Sequence, residues 1–327
     1  MEKKSNRILT GIQSTGTPHL GNILGAIIPA IQMSQTKNSE SYLFIADLHS
    51  ITQIKNRKTL SHNTYATAAA WLAFGLDHKK TVFYRQSDIP QVTELAWYLS
   101  CYFPYQRLTL AHSFKDKQNR LQDVNSGLFN YPMLMAADIL LYDANIVPVG
   151  KDQLQHLEIT RNVANRFHNI NGETFIVPQA KPNNENMSIP GTDGQKMSKS
   201  KNNIIDVFLD EKKLKKQIQA IKTDSTPIEA SKDWKKCNLF NIYKLMASKP
   251  EIVDIKSKYE KGGYGYGQAK EDLFALILNK FSKERQEFNH YLNNLDEIDK
   301  ILDAGATKAK ETAGIVLKRV RKKLGYN

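Results

Sequence analysis

Short apolar or β-branched runs recur through the first two hundred residues, at Arg7 to Ile12, Ser41 to Ala46, Thr81 to Arg85, Asn145 to Val149 and Thr174 to Val177. Each is bounded by turn-forming residues, and runs of this kind read as strands. Between them lie longer stretches with helical spacing: Ser61 to Phe74 with its alanine run, Gln91 to Cys101, and Gln153 to Phe167. Strand and helix in alternation predict an α/β fold, a parallel sheet covered on both faces with ligands at the carboxyl ends of its strands. From Val207 onward the strand-like runs stop. Lysine-rich helical segments follow at Glu211 to Ile221, Leu239 to Ala247, Ala269 to Phe281 and Leu295 to Val320, which predicts a second, all-helical domain after about residue 205. The stretch Lys261 to Gly267, rich in glycine and tyrosine, reads as an ordered loop between two helices.

The strand ends carry four polar clusters: Gln13-Ser14-Thr15-Gly16, Asp47-Leu48-His49, Gln86-Ser87-Asp88 and Gly150-Lys151-Asp152-Gln153. An Asp in such a place serves equally as a helix N-cap, and Asp88 and Asp152 are candidates for that job. After the first strand the chain reads Pro18-His19-Leu20-Gly21-Asn22 and continues into a helix. Gly16 and Gly21 allow close backbone approach, and a helix start offers free N–H groups to a phosphate. This is neither GxGxxG nor a Walker loop, and alone His19 reads as a turn residue. Near residue 200 stands Lys196-Met197-Ser198-Lys199-Ser200, flanked by Gly191, Asp193 and Gly194 before it and Asn202-Asn203 after it. Alone it reads as a solvated basic turn. The surrounding residues make it a flexible loop, and together the two segments are what is needed to hold an ATP triphosphate from both sides.

Composition changes the picture in two ways. Forty-six Lys and Arg against thirty-three Asp and Glu give the 327 residues a formal net charge of +13. This favours a polyanionic partner, nucleic acid or nucleotide. Cys101 and Cys237 stand far apart without CxxC spacing, so neither a disulfide framework nor a zinc site is indicated, and a reducing cytoplasm fits best. No secretory leader pattern opens the chain and no apolar stretch approaches a membrane span. The expectation is a soluble, unprocessed, cytoplasmic protein with no membrane partner.

In this order, strand, turn, helix and lysine loop resemble the class I aminoacyl-tRNA synthetases. Their HIGH signature stands here as His19-Leu20-Gly21-Asn22, and their KMSKS signature is complete. Further blocks resemble the tryptophanyl-tRNA synthetases of the bacterial type: Gly11-Ile12-Gln13, Ala46-Asp47-Leu48-His49, Tyr131 to Tyr142 and Val147 to His156. The likeness spans nearly the whole chain. Two positions depart from the pattern: Asn22 ends the HIGH box, and Lys151 replaces an acidic residue frequent in the family's GxDQ block.

The resemblance implies a Rossmann-like catalytic domain over residues 1–205, binding ATP and tryptophan and ending in the KMSKS loop. A helical anticodon-binding domain over residues 206–327 would follow, its last helix able to pack back on the first. It further implies a homodimer that activates L-tryptophan with ATP and transfers it to the 3′ end of tRNA(Trp), with Mg²⁺ carried by the ATP and no metal site of the protein's own. On matching positions, Gln13, Ser14, Thr15, Gly21 and Asn22 would line the nucleotide, with His19 near the phosphates. Gly150, Lys151 and Asp152 would lie at the adenosine, Asp152 at a ribose hydroxyl. Asn186, Met187, Met197, Ser198 and Ser200 would complete the ATP site, and Lys196, Lys199 and Lys117 would hold the pyrophosphate.

Tyr131, Met135 and Asp138 are four and then three residues apart, so a helix puts them on one face. Spacing alone reads as a core stripe with a capping Asp. An Asp ending an apolar stripe needs a donor, and an indole N–H is only ever a donor. By resemblance Asp138 would select tryptophan, Tyr131 and Gln153 would face its ammonium group, and His49 would form the pocket wall. The related tyrosyl enzyme carries a glutamine where Met135 stands, and a thioether suits an indole face better than an amide does. Other readings are that tyrosyl enzyme, a small-molecule nucleotidyltransferase of the same superfamily, and an RNA-binding paralogue without catalysis. The basic helical segments speak against the second, and the intact His19, Lys196, Lys199 and Asp138 against the third. Lys235, Lys236 and the cluster Arg321 to Lys323 read as solvated or as phosphate contacts.

Overall fold

The computed structural model describes residues 6–110, 124–150, 153–182 and 189–326. Five strands, β1 Asn6–Ile12, β2 Ser39–Ile45, β3 Val82–Arg85, β4 Ile146–Val149 and β5 Gln179–Pro182, form one sheet in the order β3-β2-β1-β4-β5. Every pair is parallel, with Ile12 beside Ile45, Ile45 beside Arg85, Ile8 beside Ile146 and Val149 beside Pro182. The chain order reverses across β1 and β4, so the crevice that such sheets use for ligands opens at the carboxyl ends of these two strands.

Side-chain alternation divides the core into two layers. Leu43, Ile45 and Phe83 pack with Leu20, Ile23, Ile27 and the alanine-rich helix Arg57–Ala73 on one face. Tyr42, Phe44, Val82 and Tyr84 pack with helices Gln91–Tyr102, Ser126–Leu140 and Leu154–Asn171 on the other. Burial on both faces is why these strands read as continuous apolar runs.

The first four strand expectations correspond to strands, and the fifth does not. Thr174 to Val177 makes no ladder: the Thr174 hydroxyl donates to the Gly172 carbonyl, the Phe175 N–H donates to His168 Nε2, and the Phe175 ring packs on Phe167. Its apolar residues cover helix Leu154–Asn171, and the edge strand forms a few residues later at β5. Asp88 does not cap the following helix either. Pro90 holds that position, and the Asp88 carboxylate accepts from Arg85 Nε at 2.8 Å.

Among the described residues after 205 all regular structure is helical: Glu211–Gln219, Asn238–Tyr243, Lys249–Lys261, Tyr266–Lys280, Ser282–Asn293 and Leu295–Lys323. The glycine-rich stretch forms the connection between the third and fourth of these. The last helix crosses the edge strand β3, with Ile298 and Leu302 in one core layer and Ala306, Ala309, Ala313 and Val320 in the other. At the crossing Gly305 lies so close to β3 that a Cβ there would stand 1.8 Å from the Phe83 carbonyl oxygen. Arg85, at the end of β3, fastens this helix by pairing with Asp299 at 2.8 Å and Asp303 at 2.9 Å. An edge strand is thereby covered rather than left open for pairing with another chain.

Candidate active site

The turn after β1 and the lysine loop meet face to face. Gly16 has φ +143°, and a Cβ built on it would stand 3.1 Å from Lys199 Nζ. Gly21 is hemmed in by the His19 ring on one side and Met197 on the other, and its N–H points to Met197 Sδ at 3.3 Å. A side chain at either glycine would crowd the space between the two segments, and the φ of Gly16 is one that L side chains rarely adopt, so glycine suits both positions. The helix that starts at Leu20 is held by its own box: His19 Nδ1 accepts from the Asn22 N–H, and Asn22 Oδ1 accepts from the His19 N–H. His19 thus serves as N-cap, the turn-residue role, at the mouth of the crevice. Burial, and then the Lys199 charge, push its imidazole down to about 4, so the ring is neutral at physiological pH.

Lys196 is exposed, whereas Lys199 is half-buried and its ammonium is lowered to about 8 by loss of water. The loop is closed at its base. Asn203 Nδ2 donates to Asp193 Oδ1 at 2.7 Å and to the Lys196 carbonyl at 3.2 Å, and Asn203 Oδ1 accepts from the Ser198 N–H at 2.7 Å. Met197 is buried against Ile189 through its backbone, Ser198 and Ser200 share a hydroxyl contact at 3.0 Å, and the Leu20 N–H donates to the Ile205 carbonyl at 2.8 Å. Gln13 and Thr15 are half-buried in the first turn. Ser14 points inward instead, its hydroxyl shared with Ser50 and Thr64. Gly150 follows β4, and its carbonyl accepts from the Gln153 N–H at the start of helix Leu154–Asn171. Lys117, Lys151, Asp152, Asn186 and Met187 lie outside the described residues.

The second constellation is built around Asp138, 2% exposed, on helix Ser126–Leu140. Its carboxylate accepts from Gln86 Nε2 at 2.8 Å on each oxygen and from His49 Nε2 at 3.0 Å. Burial raises the carboxyl above its ordinary value, and the bonds to His49 and Gln86 work against that rise. This corrects one step of the sequence argument: the carboxylate has its donors inside the protein, so burial by itself does not demand a ligand. His49 comes from the turn after β2 and Gln86 from the turn after β3, and Asp47 joins these turns by accepting from the Ser87 and Leu48 N–H groups. Tyr131 shares the Asp138 face, lies edge-on to His49 at 6.0 Å between ring centroids, and bonds through its hydroxyl to His156 Nε2. Met135 is half-buried on the same helix. Gln86, His156 and Asn203 were not among the sequence candidates, although Gln86 and His156 stand within the strand-end cluster and the family block that marked their neighbours.

Two half-sites therefore border the crevice at the ends of β1, β2, β3 and β4: a glycine-lined turn facing a lysine, and an apolar face ending in a hydrogen-bonded carboxylate. Among the described residues no group of three or more His, Cys, Asp or Glu could hold a metal ion, and no helix is long and apolar enough to cross a membrane.

The sequence pattern of the tRNA synthetases class I (W and Y) matches residues 1–282, and the chain belongs to this family. Within it, the likeness is to the tryptophan enzymes. The tryptophan–tRNA ligase of Campylobacter jejuni is 44% identical over 98% of this chain and 99% of its own length, and that of Rhodopirellula baltica is likewise 44% identical with the same coverage. The crystal structure of the Campylobacter jejuni tryptophanyl-tRNA synthetase complexed with ADP and tryptophan superposes with a TM-score of 0.93, covering 98% of this chain and 99% of that one. The enzyme of Mycoplasma pneumoniae follows at 28% identity and a TM-score of 0.82, covering 99% of this chain and 98% of that one.

Proposed function

We infer that this chain activates L-tryptophan with ATP to tryptophanyl-adenylate and transfers the amino acid to the 3′ end of tRNA(Trp), releasing pyrophosphate and then AMP. Full-length likeness to tryptophan–tRNA ligases supports the reaction. The observation that carries it in this molecule is the meeting of Gly16 with Lys199 and of Gly21 with Met197 across the crevice.

In the first step the tryptophan carboxylate attacks the α-phosphorus of ATP and the bond to pyrophosphate breaks. This needs alignment and cations at the leaving group rather than a proton acceptor. Lys196 and Lys199 supply positive charge from the loop, with Lys117 as a third cation. The turn Gln13 to Gly16, Gly21 and Asn22 receives the nucleotide, Ser14 through its backbone, and His19 holds this turn beside the phosphates. Gly150, Lys151 and Asp152 serve the adenosine, while Asn186, Met187, Met197, Ser198 and Ser200 close the site around it. Mg²⁺ bound to the ATP phosphates would screen their charge, beside the lysines that meet the same oxygens. Asp138 accepts the indole N–H with its remaining lone pairs, Met135 lies against the ring, Tyr131 and Gln153 meet the ammonium group, and His49 walls the pocket. In the second step a 3′-terminal ribose hydroxyl attacks the acyl carbon and AMP leaves.

Residues 1–205 carry this chemistry and residues 206–327 receive the anticodon, a division supported by the confinement of the sheet to the first part and by the basic helices of the second. The enzyme works as a homodimer in the cytoplasm; Trp97, Tyr105 and Leu110, all exposed, provide apolar surface for a second copy. Pyrophosphate exchange measured with each of the twenty amino acids tests the reading. Exchange supported by tryptophan alone is expected, and exchange supported by tyrosine or by no amino acid overturns it.

A further inference from the structure

Gln86 opens the short turn Gln86–Asp88 after β3 and is 1% exposed. Both ends of its amide are engaged. Nε2 donates to Asp138, 2.8 Å from Oδ1 and 2.8 Å from Oδ2, and Oε1 accepts from the His49 N–H at 3.3 Å. The reverse orientation would set an amide oxygen against a carboxylate and an NH₂ group against an N–H, so the neighbours admit only this one. The residues on either side are pinned as well. Arg85 pairs with Asp88, Asp299 and Asp303, and the Ser87 N–H and hydroxyl both donate to Asp47. A buried amide between two anchored neighbours is locked in place.

The bonds to Asp138 are unequal. A carboxylate oxygen offers about two lone-pair sites. Among the described residues Oδ2 accepts from both Gln86 and His49 Nε2, whereas Oδ1 accepts from Gln86 alone. Oδ1 therefore keeps a lone pair. Gln86 touches both oxygens, so it stops the carboxylate from turning about its last bond and exchanging them, while His49 holds only Oδ2.

We propose that Gln86 is a positioning residue for amino-acid selection: it fixes the Asp138 carboxylate so that Oδ1 is the oxygen that takes the indole N–H. This rests on the reading of Asp138 as the indole acceptor. The simpler alternative is that Gln86 only satisfies a buried carboxylate and ties the turns after β2 and β3 to helix Ser126–Leu140. Losing that tie would harm activation of every amino acid alike.

The probe is benzothienylalanine, in which sulfur replaces the indole N–H. Pyrophosphate exchange in the full chain gives kcat/KM for tryptophan and for this analogue, and their ratio cancels effects on folding or ATP binding common to both. Gln86→Met keeps the side-chain length and removes both hydrogen bonds. The ratio should narrow about tenfold, the lower end of what a hydrogen bond to a charged group contributes, with the loss falling on tryptophan. A ratio as large as the parent's overturns the proposal and leaves Gln86 as a tie between turns. A crystal structure of the parent protein with tryptophan decides the same point without any variant: the indole nitrogen should lie within hydrogen-bond reach of the oxygen that Gln86 alone holds. An indole nitrogen bonded to the oxygen shared with His49 overturns the proposal even if Gln86→Met does not fold. A parent that activates both amino acids equally well overturns the indole reading of Asp138 itself, and Gln86 is then structural.

Discussion

Asp138→Asn tests the amino-acid pocket with the least disturbance to the fold. The side chain keeps its size, so no cavity opens, but one oxygen becomes an NH₂ group facing two donors, Gln86 Nε2 and His49 Nε2. His49 offers a way out. Its Nδ1 is buried without a hydrogen-bond partner, so the proton can move to Nδ1 and leave Nε2 to accept from the new amide. The remaining cost is the exchange of charge-assisted bonds for neutral ones, roughly 1 to 1.5 kcal/mol each. It is offset in part because the variant no longer buries a carboxylate that burial pushes up. Fold stability should therefore change by no more than about 1 to 2 kcal/mol. The sign with pH follows from the same shift. A carboxyl raised in the folded state contributes stability below its ordinary pKa and loses it as pH rises through the folded value, so the variant's deficit shrinks from acid toward neutral pH. Activity should suffer more. An indole N–H bonded to a charged acceptor contributes about 1.5 to 3 kcal/mol, so kcat/KM for tryptophan falls about 10- to 150-fold. Phenylalanine, which has no such donor, is unaffected or improved, and the preference between the two narrows. The assay is pyrophosphate exchange with each amino acid, beside thermal unfolding at two pH values. A folded variant that prefers tryptophan as strongly as the parent would refute the indole assignment and leave Asp138 as the knot that joins the turns after β2 and β3.

Gly305→Ala should strain the crossing of the last helix over β3, because the new Cβ meets backbone at 1.8 Å and no side chain can move aside. Overpacking of about 1 to 3 kcal/mol, against an unfolding entropy of roughly 0.7 kcal/mol/K for a chain of this size, lowers Tm by about 1.5 to 4 °C, and an unchanged Tm in scanning calorimetry contradicts the packing. Lys196→Ala or Lys199→Ala should slow adenylate formation by about 10² to 10³ while tryptophan binding changes little; single-turnover rates equal to the parent's remove the loop from the reaction. Binding of tRNA should weaken steeply between about 50 and 200 mM salt while tryptophan activation hardly changes, and a flat salt profile in filter binding argues against a lysine- and arginine-rich tRNA surface.

What was legible in the sequence follows from which forces leave a local trace. β2 was legible because Tyr42, Leu43, Phe44 and Ile45 are all buried, two on each face of the sheet, and such burial writes a continuous apolar run. Thr174 to Val177 has the same composition, yet Phe175 uses its ring to cover a helix and its N–H to reach His168. Apolar content records burial, not whether a neighbouring strand lies alongside. The face Tyr131, Met135 and Asp138 was legible for the same reason of period, since one helix carries all three. The donors to Asp138 were not: His49 and Gln86 stand 89 and 52 residues away in sequence, on the turns after β2 and β3, which the sheet brings to the C-terminal end of that helix. This difference bears on selectivity. A carboxylate waiting for the indole would hold tryptophan by its own desolvation penalty, whereas one already held by Gln86 and His49 is oriented in advance and would offer a fixed lone pair to an indole placed there. On the proposed reading, discrimination would come from a bond that phenylalanine cannot make, at a position the protein has set beforehand. The same logic holds at the other half-site, where Gly16 and Gly21 leave room and Asn203 ties the base of the lysine loop.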